Sequence, residues 1–133
     1  MALLIGFALA ICVGIFATGV GLDRDRAFYP TVTMVIACLY VLFAVIGDST
    51  HALLVELAIC AVFVLAAVAG FKHSLWIVVA ALAAHGAQDV VHLSLVANPG
   101  VPAWWPAFCG MYDIAAALYL AWLLQSRRVR AAS

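Results

Sequence analysis

Three residues with chemistry in them share one short segment, in the pattern His85-x-x-x-Asp89-x-x-His92. Helical residues advance by about 100° each, so Asp89 lies at about +40° from His85 and His92 at about −20°. On a helix the three make one narrow polar stripe over two turns. Two more carboxyls, Glu56 and Asp113, stand in other apolar stretches. Two imidazoles and a carboxylate on one face, completed by Glu56 and Asp113 from flanking helices, form a donor set for a divalent metal ion. Nitrogen and oxygen ligands suit zinc, iron or manganese. A metal with an open coordination position acidifies water or activates oxygen. Glu56 or Asp89, where not a ligand, is then a candidate catalytic base. His51 precedes Glu56 by five residues, about 140° round a helix. It reads as a loop residue, with a further candidate role as a ligand reaching the cluster from above. The inventory is that of carboxylate-bridged dimetal bundles, but their Glu-x-x-His pattern does not occur around these residues.

Other readings of the same residues stand beside the metal. A hydrogen-bonded knot, with Asp89 holding one or both histidines, would serve to glue transmembrane helices together. A proton or cation conduit would also use intramembrane acids. A small accessory subunit of a larger membrane complex would need a close contact along small residues such as Ala66, Ala69 and Gly70. Whether the chain is an enzyme is open at this point.

The elements that must position these residues follow from composition. Of 133 residues, 69% are hydrophobic and 9% charged, against roughly 45–50% and about 25% in soluble domains. That excludes a soluble globular domain and a disordered tail. The formal net charge is zero, which leaves no basic stripe for nucleic acid. Crossing a bilayer takes about 20 apolar residues, and five stretches qualify: 2–22, 30–47, 52–71, 74–96 and 101–124. The predicted fold is an all-α integral membrane protein, one transmembrane domain over 1–133, built as an up-down five-helix bundle. The first stretch lacks a positive leading region and is too long for a signal peptide, so it reads as a mature helix. The tight connections make sequence neighbours antiparallel neighbours in space.

Arg24, Arg26, Lys72, Arg127, Arg128 and Arg130 fall in the first connection, the third connection and the tail. With five spans, all six lie on one side. The positive-inside rule then puts the N-terminus outside and the C-terminus in the cytoplasm, in a multi-pass inner-membrane protein surrounded by lipid. Trp104 and Trp105 would mark the outer interface, Trp76 and Trp122 the inner one. Counting about 1.5 Å per residue, Glu56, His85, Asp89, His92 and Asp113 all lie between the outer surface and the midplane. An acid such as Asp at a helix centre costs about 2.5–3.5 kcal/mol. No lysine or arginine accompanies these acids, so they must face the bundle interior and meet histidines, hydroxyls, water or a bound cation. The sequence leaves a homo-oligomer or a larger membrane complex open.

Cys12, Cys38, Cys60 and Cys109 form no Cys-x-x-Cys pair and read as small buried residues. Copper ligation by Cys60 and Cys109, each one turn from an acid, stays open. Tyr40, Tyr112 and Tyr119 read as packing or interface residues.

The segment Ala84-His-Gly-Ala-Gln-Asp-Val-Val-His92, followed by Asn98-Pro-Gly-Val-Pro102, resembles small bacterial membrane proteins of unknown function. Those proteins carry a His-x-x-x-Asp-x-x-His helix followed by an Asn-Pro turn. The likeness covers the last third of the chain and implies no activity. A looser likeness, in residue chemistry alone, is to membrane hydrolases of the alkaline ceramidase type. These hold zinc with intramembrane His and Asp, but have seven spans and different spacing. That likeness implies a metal-dependent reaction on a lipid-like substrate.

Overall fold

The computed structural model of the protein describes residues 1–131. Five helices account for most of it: α1 (Ala2–Val20), α2 (Phe28–Ile46), α3 (Thr50–Lys72), α4 (Leu75–Leu95) and α5 (Trp105–Gln125). All five are long and apolar enough to cross a membrane. No strand lies among the described residues' principal elements, which are helical throughout.

The helix ends follow local chemistry. Ser49 caps α3 by accepting from the Ala52 N–H, and Ser74 caps α4 by accepting from the Trp76 N–H. Gly21 closes α1 in the left-handed conformation, φ 88°, where a glycine carries no Cβ penalty. Pro30 falls in the first turn of α2 and Pro106 in the first turn of α5, where a missing N–H breaks no bond. The last helix begins at Trp105, four residues later than the apolar run suggests. Pro99, Gly100 and Pro102 keep 96–104 out of the helix, and this loop supplies a site residue, Asn98.

The packing order departs from simple chain order. α2 lies on α3, α3 on α4, and α4 on α5, but the main partner of α1 is α5, not α2. The connection of residues 21–27 is long enough to let α1 leave its sequence neighbour. It ends at Arg26, which reaches across to donate to the Phe71 carbonyl at the end of α3. The tail folds back likewise, with the Leu75 N–H donating to the Ala131 carbonyl. A smaller polar group joins α1 to α5: Thr18 donates to buried Asp23 at 2.7 Å and lies 3.2 Å from the Tyr119 hydroxyl. Apolar side chains such as Leu4, Ile5, Phe16, Leu65 and Val90 point outward, which suits a lipid surround rather than water.

The contact that matters most for function is between α4 and α5. A Cβ on Gly86 would stand 2.9 Å from the Gly110 carbonyl, and one on Gly110 would stand 3.1 Å from the Gly86 carbonyl. Two glycines therefore let the backbones touch, the usual device of membrane helices that must approach closely. Gly110→Ala is expected to lower stability by about 1–3 kcal/mol through overpacking. Gly19→Ala, at a position with open space around it, should be neutral or stabilising by up to about 1 kcal/mol. Thermal unfolding of both variants in mild detergent checks the contrast, and equal behaviour would remove the special role of the α4–α5 contact.

Candidate metal centre

The close approach of α4 and α5 sets the site. His85 and Asp89 are one turn apart on α4, while Cys109 and Asp113 are one turn apart on α5. With the glycines in contact, the two pairs face each other. One ligand-type atom from each of His85, Asp89, Cys109 and Asp113 falls within 4.8 Å of the other three, and all four residues are buried. His85 Nδ1 is hydrogen-bonded to Asp113 Oδ2 at 2.7 Å and lies 3.8 Å from Asp89 Oδ2. The edge of Phe63 packs against the His85 ring, centroids 4.7 Å apart.

Glu56 and His92 lie outside this group of four and pair with each other. His92 Nε2 and Glu56 Oε1 are 2.8 Å apart. Asn98 donates to the same Glu56 oxygen at 3.0 Å and to the Tyr40 carbonyl at 3.1 Å. The reason is axial distance. His92 lies seven residues beyond His85, about 10.5 Å along the helix, too far for one ion to hold both imidazoles with bonds of about 2 Å. Two residues can share a face and still belong to different sites.

Tyr40 joins the two. Its hydroxyl donates to Asp89 Oδ1 at 2.5 Å, and its ring stacks on His92 with centroids 3.9 Å apart and planes 22° apart. His51 is exposed in the first turn of α3 and makes none of the side-chain contacts described for the two groups. Of the residues singled out from the sequence, His85, Asp89 and Asp113 come together, Glu56 and His92 form the adjoining pair, and His51 stands apart.

Tyr40, Asn98 and Cys109 complete the arrangement. Cys109 carried a signal, being one turn from Asp113. Tyr40 and Asn98 carried almost none, because their partners lie 49 and 42 residues away along the chain.

A bookkeeping of oxygens is informative. Glu56, Asp89 and Asp113 each have one oxygen engaged and one without a close hydrogen-bond partner. The engaged atoms are Glu56 Oε1, Asp89 Oδ1 and Asp113 Oδ2. The unpartnered ones are Glu56 Oε2, Asp89 Oδ2 and Asp113 Oδ1, together with His92 Nδ1. Unmet buried polar atoms cost about 1–3 kcal/mol each, so those of Asp89 and Asp113 mark one place suited to an ion or water, and those of Glu56 and His92 a second.

No protein-family model, no curated protein and no solved structure matches the chain, so the site is read from its own chemistry. Tyr40→Phe keeps the ring on His92 but strips the donor from Asp89. It should cost about 1–3 kcal/mol in thermal unfolding. Tyr40→Leu, which also loses the stack, should cost more; equal losses would show that the hydroxyl contributes nothing.

Proposed function

We propose that this chain is a membrane-embedded metalloprotein whose ion is held by His85, Asp89, Cys109 and Asp113, and that the centre performs a hydrolytic or oxidative reaction on a lipid-like substrate. The observation carrying this reading is the convergence of one donor-type atom from each of His85, Asp89, Cys109 and Asp113, with each of the two carboxyls keeping one unpartnered oxygen. Charge supports it too. A divalent ion offsets both carboxylates, and Cys109, which ligates as a thiolate, leaves a residual charge of −1 in a site with no lysine or arginine near it. His85 and Asp113, now hydrogen-bonded to each other, would both turn their donor atoms to the ion and give up the proton they share.

The thiol of Cys109 narrows the choice of metal. Zinc and iron accept a mixed nitrogen, oxygen and sulfur set, whereas manganese prefers oxygen donors. An ion held by these residues would supply Lewis acidity toward water or a carbonyl where it keeps a coordination position open beyond its protein ligands. Glu56, whose second oxygen is unpartnered and whose first is fixed by His92 and Asn98, belongs to the adjoining group and would act as general base at the ion only through an intervening water. The bundle sits with its N-terminus outside and its C-terminus in the cytoplasm, in up-down order, with the centre in the outer half. The basic residues of the first and third connections and of the tail support that orientation.

A second reading rests on the same hydrogen bonds. Glu56 Oε1 already has two partners in the protein alone, so the Glu56–His92–Asn98 group is equally a structural knot joining α3, α4 and the loop between α4 and α5. The tests separate the roles. Protein purified without chelator is expected to contain about one zinc or iron per chain, and the ion should raise stability by about 2.7 kcal/mol at a hundredfold excess over its Kd. His85→Ala and Asp113→Asn should abolish both effects. Glu56→Gln should keep the metal and, once a turnover assay exists, lose about 10²–10⁴-fold in rate. A metal-free protein whose melting does not respond to added zinc, iron or manganese overturns the proposal in favour of the knot.

A further inference from the structure

We propose that the cavity at the shared end of α1 and α5, walled by Arg24 and Arg128, binds the phosphate of an anionic glycerophospholipid. The proposal is independent of the metal reading.

The cavity encloses about 240 Å³. Thr18 and Leu123, in the last turns of α1 and α5, form part of its wall. Arg24 reaches it from the connection after α1, and Arg128 from the tail after α5. Local structure sets both arginines. A Cβ on Gly21 would stand 3.0 Å from Arg24 Nε, so the glycine gives that side chain room to lie back over the helix end. Arg127 is left-handed, φ 55°, a costly state for a residue with a Cβ. Beyond this turn the Arg128 N–H donates to the Leu123 carbonyl at 3.0 Å and Val129 is buried. The Arg128 guanidinium lies over the Trp122 ring, 4.6 Å from its centroid. A guanidinium stacked by its face keeps its in-plane N–H fork for an oxyanion.

The occupant follows from charge. Both arginines are exposed, and among the described residues neither forms an ion pair with a carboxylate. Asp23 is the one acid on the wall, and it accepts from the Thr18 hydroxyl at 2.7 Å. Two guanidiniums and one carboxylate leave the cavity at +1, which the single negative charge of a phosphodiester cancels. The surroundings point to a lipid source. The cavity lies where two membrane-long helices end, the level at which basic pockets between spans hold lipid head groups. Trp122, under Arg128, and Leu118, one turn deeper on α5, are 44% and 66% exposed. They continue an apolar surface from the cavity toward the bilayer core, where acyl chains lie. A cation at a helix C-terminus also offsets the helix dipole. That role alone predicts arginine variants that melt lower whether or not lipid is present, whereas a phosphate site predicts a loss that depends on lipid.

The test strips the full-length protein of lipid in an uncharged detergent. It is then titrated with dioleoylphosphatidylglycerol, with dioleoylglycerol (the same chains without phosphate) and with glycerol phosphate (the phosphate without chains). Thermal unfolding reports binding, and native mass spectrometry counts retained lipid. Phosphatidylglycerol should raise Tm saturably, with one molecule retained per chain, and the other two should not. Arg24→Gln and Arg128→Gln should each raise its apparent Kd about tenfold. Arg24→Lys and Arg128→Lys keep the charge but lose the planar fork; they should show a smaller loss and serve where a glutamine variant does not fold. Arg130→Gln removes an exposed charge of the same tail that is not on the cavity wall, and should bind as the parent does. Equal weakening by Arg130→Gln reduces the effect to diffuse attraction by the basic end and overturns the proposal. Equal stabilisation by glycerol phosphate assigns the cavity to a soluble phosphate ester, and equal stabilisation by dioleoylglycerol assigns the effect to the chains; either overturns it. Arginine variants that melt lower with an unchanged Kd leave only the helix-end role and also overturn it.

Discussion

Three carboxyl groups lie in apolar spans with no cationic side chain beside them, and the bundle is arranged around that constraint. The only lysine or arginine in any of the five helices is Lys72, the last residue of α3. Coulombic pairing of the usual kind is therefore closed to Glu56, Asp89 and Asp113. Their partners are two imidazoles, a phenol and an amide. Each of these can meet one oxygen of a carboxyl, and each does, which leaves the second oxygen of all three acids unmet. A site tuned only for stability would replace such groups with packed hydrocarbon, often at no loss. Retaining three half-satisfied acids in so small a bundle is a cost that binding an ion would offset.

The backbone contact between α4 and α5 turns that chemical condition into a geometric one. Gly86 sits beside His85 and one turn before Asp89 is complete; Gly110 stands in the same relation to Cys109 and Asp113. Because the glycines meet, the functional residues next to them must also meet. The site is thus a direct consequence of where close approach is permitted. α4 also packs on α3 and α2, and its far turn carries His92 to Glu56. One helix therefore serves two polar groups a little over 10 Å apart along its axis. Tyr40 of α2 touches both, by hydroxyl to Asp89 and by ring face to His92.

Much of the fold was legible in the sequence because a bilayer imposes a length and a polarity that composition alone reveals. The five helices agree with the apolar stretches to within a few residues, the exception being the start of α5. There the Asn-Pro-Gly-Val-Pro segment is used as a folded loop over the bundle end. The helix-to-helix partners were less legible. Short connections do predict neighbours, but α1 chooses α5 across the bundle, and nothing local in its sequence announces that. For the site, angular periodicity found the right face of α4 and failed on axial spacing. Angle alone made His85 and His92 equivalent, whereas rise per residue separates them. Cys109 was visible as the residue one turn from Asp113, yet its apolar character concealed it among three other cysteines. Asn98 and Tyr40 act through partners distant in sequence, and such pairings are properties of packing.

Tyr40 decides how independent the two groups are. Were it a spacer only, a phenylalanine would serve as well, yet that change would take from Asp89 the donor that fixes Oδ1. Its hydroxyl fixes Asp89 Oδ1, and Oδ2 then lies 3.8 Å from His85 Nδ1. The phenol therefore determines which oxygen is offered to an ion and which to the protein, the kind of support that orients a ligand from behind. The same ring lies flat on His92, whose Nε2 holds Glu56. A shift of Asp89 would pass through that ring to the His92 imidazole and to the carboxyl it holds. On physical grounds the two groups are one unit, joined by a hydroxyl on one side and a stacked ring face on the other.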